Sequence, residues 1–145
     1  MIFREIIFNS AEYTESLKLR EAILRAPLGT KLSADDISDE DKQQHFGLFN
    51  QSGLVACVVI TPLDDTSVKL RQMTVSKDLR GLDIGKRLVQ LTEDSLIKQG
   101  YKHIEMSARQ TAAGFYKKLG YVKDGDEFLE MGIPHIKMRK NIKKK

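Results

Sequence analysis

The chain has 145 residues, enough for one ordinary domain and too few for two. Apolar residues make up 41% and charged residues 30%, which excludes a disordered or collagenous chain, and one cysteine excludes a disulfide scaffold. The net charge of +4 comes from the end of the chain, where Lys137, Arg139, Lys140, Lys143, Lys144 and Lys145 stand without an acid and the rest has more acids than bases.

A body built to track a phosphate backbone is therefore not supported. The Lys-rich end reads as a solvated tail, 141–145, after a single domain over 1–140. Cys57 lies in the apolar run Leu54-Val-Ala-Cys-Val-Val-Ile60, the setting of a small buried hydrophobe and not of an activated thiol. That run is far short of the roughly 20 residues that cross a bilayer. Met1-Ile-Phe-Arg-Glu lacks the apolar region of a signal peptide. A cytoplasmic location is the expectation.

Ile2 to Phe8 is apolar and β-branched enough for a strand. Ala11 to Arg25 reads as a helix with Ser10 as N-cap, Tyr13, Leu17, Ile23 and Leu24 as its apolar positions, and Pro27 and Gly29 as its stop. Leu32 to Lys42 is an acidic loop or short helical turn. His45 to Asn50 and Leu54 to Thr61 flank the turn signal Gln51-Ser52-Gly53 and read as a hairpin. Ser67 to Val75 is the next strand. Ile84 to Gln99 is a helix with Ile84, Leu88, Leu91 and Ser95 on one stripe and Gly100 at its stop position. A strand over 101–107, a short helix over 111–119 closed by Gly120, and strands over 121–127 and 134–139 complete the chain. The order β-α-β-β-β-α-β-α-β-β predicts an α/β (α+β) fold: a mixed, twisted sheet with helices on both faces and one right-handed parallel crossover around the long helix.

The chemistry concentrates after the third strand of the meander. Arg80-Gly-Leu-Asp-Ile-Gly85 forms a turn that opens a helix. A helix N-terminus offers unpaired N–H groups and the positive end of a dipole, and Gly81 and Gly85 let backbone approach a phosphate closely. Arg80 and Lys86 add charge. The glycine spacing matches neither the dinucleotide fingerprint nor a Gly-Lys-Ser/Thr phosphate loop. An ordinary turn, with glycine for its dihedrals, is the bland alternative. A second element is Thr111-Ala-Ala-Gly-Phe-Tyr116-Lys-Lys-Leu-Gly-Tyr121, which places Tyr116 on a short helix behind small residues. A phenol can give a proton to a thiolate, since their ordinary pKa values, about 10 and about 8.5, lie close. A core aromatic is the alternative there.

These two segments, in this order, resemble those of the GNAT family of N-acetyltransferases, over nearly the whole length. The turn is similar to the family's coenzyme A turn, Gln/Arg-x-x-Gly-x-Gly/Ala, and Ala112 to Tyr121 to its Ala-x-x-x-Tyr-x-x-x-Gly-Phe/Tyr segment. Glu130-Met-Gly-Ile-Pro-His135-Ile-Lys-Met138, with Leu19-Arg20 and the acids before His45, is similar to the ElaA-like branch. The resemblance implies acetyl transfer from acetyl-CoA, a co-substrate, to a primary amine, with no metal. It implies that Met73, Thr74 and Val75 hold the pantetheine arm, the Val75 N–H donating to the thioester carbonyl. Arg80, Gly81, Leu82, Asp83, Ile84, Gly85 and Lys86 would hold the diphosphate, with Ala112 and Phe115 on the cofactor side. Tyr116 would be the general acid. Arg109 sits where relatives often carry Asn or Gln on the cofactor, and Asp83 replaces the middle glycine. An outward Asp83 would cap the helix at Ile84. Relatives are often dimers.

Glu130 and His135 are the candidate base or base relay, His45 is another, and His103, alternating with Ile104, is expected to be exposed. A surface acid and a structural histidine are the plain alternatives for the first two. The acceptor site is expected from Arg20 to Leu32, the loop near His45 and the last hairpin. The acids Asp35, Asp36, Asp39, Glu40 and Asp41 read as an exposed loop that can also attract a cation. No His/Cys/Asp/Glu cluster has metal spacing and no Ser-His-Asp arrangement is evident. A small amine, an amino acid, an antibiotic and a peptide amine all fit this machinery as acceptors. Two other classes stay open: a non-catalytic acyl-CoA-binding module, raised by Asp83 and Arg109, and a nucleic-acid-associated protein using the Lys-rich end.

Overall fold

The computed structural model describes residues 1–79, 81 and 83–143. The chain runs β1 (Ile2–Ile6), α1 (Ala11–Arg20), β2 (Gln44–Asn50), β3 (Gly53–Pro62), β4 (Ser67–Val75), α2 (Ile84–Lys98), β5 (His103–Arg109), α3 (Ala113–Lys118), β6 (Val122–Glu130) and β7 (Ile133–Asn141). The strands form one seven-stranded sheet in the order β1-β2-β3-β4-β5-β7-β6. Among the described residues β4 and β5 make the one parallel pair, and the other neighbours are antiparallel. The expected element order and mixed sheet are both present.

The core lies on both faces of the sheet. On one face Leu88, Val89 and Leu96 of α2 pack on Val58, Ile60, Val68, Ile104 and Met138. Each such aliphatic side chain is worth roughly 1.5–3 kcal/mol when removed from water. On the other face α1 brings Tyr13 against Ile6, Phe49 and Cys57. Cys57 is buried as expected, and burial pushes its thiol up to about 12, so it stays protonated and inert.

Ser10 caps α1 through its Oγ, which accepts from the Tyr13 N–H at 3.1 Å. The helix does not run on to Arg25 as one α-helix. It changes to a π-turn over Glu21–Arg25 and a 3₁₀ turn over Ala26–Leu28. Pro27 explains the break: its ring cannot sit above the carbonyl four residues earlier in an α-helix, and it has no N–H to give. The acidic stretch forms two 3₁₀ turns, Asp35–Ile37 and Glu40–Lys42.

The last hairpin is longer than the sequence predicts. β6 and β7 extend to a two-residue turn at Met131 and Gly132, both with positive φ (52° and 73°), the handedness that tight hairpins favour. At the other end β7 takes in Asn141 and the core takes in Ile142, whose N–H bonds Lys102 O at 2.8 Å. Lys137, Arg139 and Lys140 are thus sheet residues and not a frayed end. They face Glu105, Asp124 and Glu93 at 3.9, 3.8 and 2.9 Å. Lys144 and Lys145 lie outside the described residues. No described helix is long and apolar enough to cross a membrane.

Candidate active site

The parallel pairing of β4 and β5 covers only Ser67 to Lys69 against His103 to Glu105. Beyond it the strands part. On its other side β4 carries a bulge, where Gln72 adopts φ +48° and the register against β3 shifts. The edge of β4 from Leu70 to Val75 therefore has no strand partner toward β5 among the described residues. The wedge between the strands opens into a cleft of about 450 Å³. Met73 lies on one arm, and Met106 and Ala108 on the other. Tyr116 and Ala112, brought in by α3 and the turn before it, close the wedge.

Tyr116 is buried, and burial raises its phenol pKa well above the usual range. No described residue hydrogen-bonds its hydroxyl, and the residue lines the cleft. The ring is fixed edge-on between Phe115 (5.0 Å) and Tyr121 (5.7 Å). Tyr121 in turn donates its hydroxyl to Glu93 Oε2 at 2.7 Å, and Lys140 Nζ donates to Glu93 Oε1 at 2.9 Å. A small polar cluster thus locks the rotamer of the tyrosine beside Tyr116.

The hairpin turn brings Glu130 and His135 into the same cleft. His135 is 7% exposed; its Nδ1 lies 2.8 Å from Ile133 O and its Nε2 3.4 Å from Glu130 Oε2. A carbonyl can only accept, so Nδ1 carries a proton and Nε2 faces the carboxylate. Phe128 tilts over the ring at 6.0 Å. The alternative base, His45, is elsewhere: it is buried against Tyr13 with Nε2 2.9 Å from Glu40 O, and burial lowers its pKa. His103 is exposed, as its alternation predicts, and pairs with Asn141.

The expected cofactor residues divide into two groups. Met73, Ala112 and Arg109 line the cleft, but Arg109 turns to Leu24 O at 3.3 Å, across from the first helical segment. Val75, Gly81, Asp83, Ile84, Gly85, Lys86 and Phe115 lie outside its lining. Thr74 is buried and its hydroxyl donates to Gln72 O at 2.9 Å. Ile84 is a core residue. Gly85 is pressed between Phe115 and Val75: a Cβ there would meet Phe115 Cζ at 3.3 Å and Val75 Cγ2 at 3.5 Å. Arg80 and Leu82 lie outside the described residues.

Asp83 is exposed and sits at the N-cap of α2 with φ +59°, but its side chain makes no capping bond. The capping expectation is therefore not met. A left-handed residue does not have the extended backbone that turns a cap side chain toward the first amides. That φ also explains why glycine suits the position. The first helical bond among the described residues runs from Arg87 N–H to Asp83 O at 3.0 Å, and the amides of Ile84, Gly85 and Lys86 precede it with no acceptor among the described residues.

The sequence did not expose the polar core behind the bulge. Arg20 and Glu40, both fully buried, form a two-point ion pair: Arg20 Nη1 donates to Glu40 Oε1 at 2.8 Å and Arg20 Nη2 to Glu40 Oε2. Arg20 Nε donates to Gln72 Oε1 at 2.7 Å, and Tyr13 Oη donates to Glu40 Oε1, also at 2.7 Å. Glu40 is thus not an exposed loop acid. The available signal was the stripe Tyr13, Ser16, Arg20, which puts an arginine on the inward face of α1.

The sheet is mixed and splits between its parallel strands, and Tyr116 lines the split. The profile of the acetyltransferase (GNAT) domain matches residues 24–142. The chain belongs to the GNAT acetyltransferase family and is an acyl-CoA-dependent transferase by class. A Bacillus subtilis protein named as an acetyltransferase is 30% identical over 138 residues, 92% of each chain. Among solved structures, Escherichia coli ElaA superposes with a TM-score of 0.83 at 22% identity, covering 97% of this chain and 100% of that one. An aminoglycoside 6′-N-acetyltransferase complexed with coenzyme A gives 0.78 at 21%, covering 100% and 99%.

Proposed function

We propose that the protein moves an acetyl group from acetyl-CoA to a primary amine by direct attack, with Tyr116 as general acid. The observation that carries this reading is the wedge itself: an unpaired β4 edge facing Tyr116 across a cleft. The pantetheine arm adds to that edge along Met73, Thr74 and Val75, and the Val75 N–H donates to the thioester carbonyl. Such a donor is already oriented and costs no reorganisation as charge develops. The diphosphate lies on the amides from Ile84 to Lys86, beside Gly81, and Arg80 adds a positive charge. The fit is physical, since Gly81 has open space where a Cβ would stand and the amides have no acceptor among the described residues.

The acceptor enters from the side of Leu24, Leu28, Met131 and Ile133. An alkyl ammonium, pKa about 10, must first lose its proton. His135 Nε2 takes it and Glu130, half-exposed beside it, passes it to solvent. The nitrogen then bonds the acetyl carbon, the carbon–sulfur bond breaks, the departing thiolate takes the Tyr116 proton, and the second proton of the nitrogen, passed through solvent, restores the phenol. An aminoglycoside, the acceptor class named for one of the similar folds, is one candidate amine.

Calorimetric titration with acetyl-CoA tests the reading. A saturable site supports it, and no heat at millimolar cofactor ends it. Asp83→Gly sharpens the test. Removing the carboxylate beside the diphosphate site is expected to tighten acetyl-CoA about two- to fivefold, the size of a single charge at a helix N-terminus.

A further inference from the structure

We infer that the acceptor is an amine that also carries a carboxylate, held by Lys69 and Arg109 on the two arms of the wedge; this rests on the acyl-transfer reading above. The cleft lining has four basic side chains, Arg25, Lys69, Arg71 and Arg109, against two acids, Asp36 and Glu130. Both acids are already engaged. Asp36 receives Arg25 through Oδ1 at 3.1 Å and Oδ2 at 3.4 Å, and the Ser33 N–H at 2.9 Å. Glu130 faces His135. Arg71 is committed too, to Gln43 Oε1 at 2.8 Å, Asp36 O at 2.9 Å and Glu40 at 3.5 Å.

Two cations remain. Lys69 has no ion pair or side-chain hydrogen bond among the described residues. Its register partner on β5, Glu105, stands outside the cleft lining and faces Lys137 at 3.9 Å. Arg109 makes one long bond to a carbonyl, which leaves most of its donor fork open. Lys69 is the last paired residue of β4 before the strands part, and Arg109 ends β5. Both side chains line the cleft.

Two half-buried cations with no ion pair among the described residues attract an anion and repel a cation more strongly than exposed ones do, because the cleft is less polarisable than water. A carboxylate neutralises one of the two charges. They also favour the free amine over the ammonium, since like charge disfavours protonation. The same field opposes an aminoglycoside, whose several ammonium groups bring more positive charge. The acceptor chemistry is therefore that of an amino acid or another small amino-carboxylate.

The test uses the whole protein saturated with coenzyme A. N-acetyl amino acids, and the N-acetyl amino amides that differ only in lacking the carboxylate, are titrated by NMR. With no amine in either ligand, amine basicity does not enter the comparison. The carboxylates are expected to bind about tenfold to a hundredfold more tightly, the range of one charge-assisted hydrogen bond. That preference shrinks toward unity in both Lys69→Gln and Arg109→Gln. Equal affinity for the two series, no measurable carboxylate binding, an unchanged preference in both variants, or tighter binding of an aminoglycoside overturns the inference. A separate titration with coenzyme A alone distinguishes the failures. Coenzyme binding without carboxylate preference removes this inference only, and carboxylate binding without coenzyme binding removes the acyl-transfer reading.

Discussion

Tyr116→Phe should lower kcat about 100-fold, the lower end of what a positioned general acid contributes, and leave the acetyl-CoA dissociation constant nearly unchanged. The phenol is a reluctant acid here, because burial holds its proton well above the usual range. Full transfer to a thiolate of ordinary pKa about 8.5 is thus uphill on its own. What the hydroxyl supplies first is a hydrogen bond to sulfur that strengthens as charge builds there, and the proton follows as the nitrogen gives up its own. Bonds to charged groups are worth about 1.5–3 kcal/mol, which is a factor of roughly 10 to 150 in rate. The same burial gives a pH signature. A donor whose pKa is raised stays protonated as pH rises, so Tyr116 contributes no loss of rate below about pH 10, the ordinary phenol value.

The substitution also separates chemistry from folding. The hydroxyl has no partner among the described residues, so its removal orphans nothing, and the ring keeps its edge contacts with Phe115 and Tyr121. Thermal stability is expected to hold while turnover falls. Steady-state thiol release with calorimetry of cofactor binding reads both quantities. Wild-type kcat in the variant would take the acid role away from Tyr116.

The parts of this molecule that repeat a period were legible in its residues. The stripe of α2 and the strand over Ser67–Val75 appear where periodicity puts them, because each buries one face against a continuous core. Ser10 caps the first helix for a local reason that needs no fold. The parts that depend on distant partners were not legible. Glu40 lies in a polar run and reads as a surface acid until α1 brings Arg20 over it, 20 positions away in sequence. Gln72 gives no sign of a positive φ, since that conformation is imposed by the bulge and by Arg20. The hairpin residues Phe128 to Ile133 read as loop because β6 is an exposed edge with no apolar alternation. Its pairing with β7 is what carries Glu130 to His135. Arg109 was placed by its position in a motif, whereas its direction is set by Leu24 on the opposite wall.

The largest stability effect is expected at Glu40. Its carboxyl is fully buried; burial alone would raise its pKa, but the hydrogen bonds and charge of Arg20, with help from Tyr13, outweigh that and hold it below the usual carboxylate range. Glu40→Gln leaves the Arg20 guanidinium buried beside a neutral amide. Removing one partner of a buried pair costs about 3–5 kcal/mol, a large share of the 5–15 kcal/mol that holds an average domain together. At about 3 °C per kcal/mol for a chain of this length, the midpoint of thermal unfolding should fall on the order of 10 °C. The pH dependence has a definite sign. A carboxyl with a depressed folded pKa stabilises above its unfolded value and loses that contribution as pH falls through the folded one. His45, buried neutral with a lowered pKa, adds a loss in the same direction below about pH 6.5, its ordinary value. Wild type should therefore weaken in acid more steeply than Glu40→Gln, which lacks the Glu40 part. Arg20→Met combined with Glu40→Gln, which removes the stranded charge, should recover part of the loss. A midpoint for Glu40→Gln within 2 °C of wild type, or a double variant no better than the single one, would show that the pair does not hold α1 to the β4 bulge. Because Arg20 also fixes the Gln72 side chain beside the wedge, the single variant should raise KM for the acceptor even at temperatures where it remains folded.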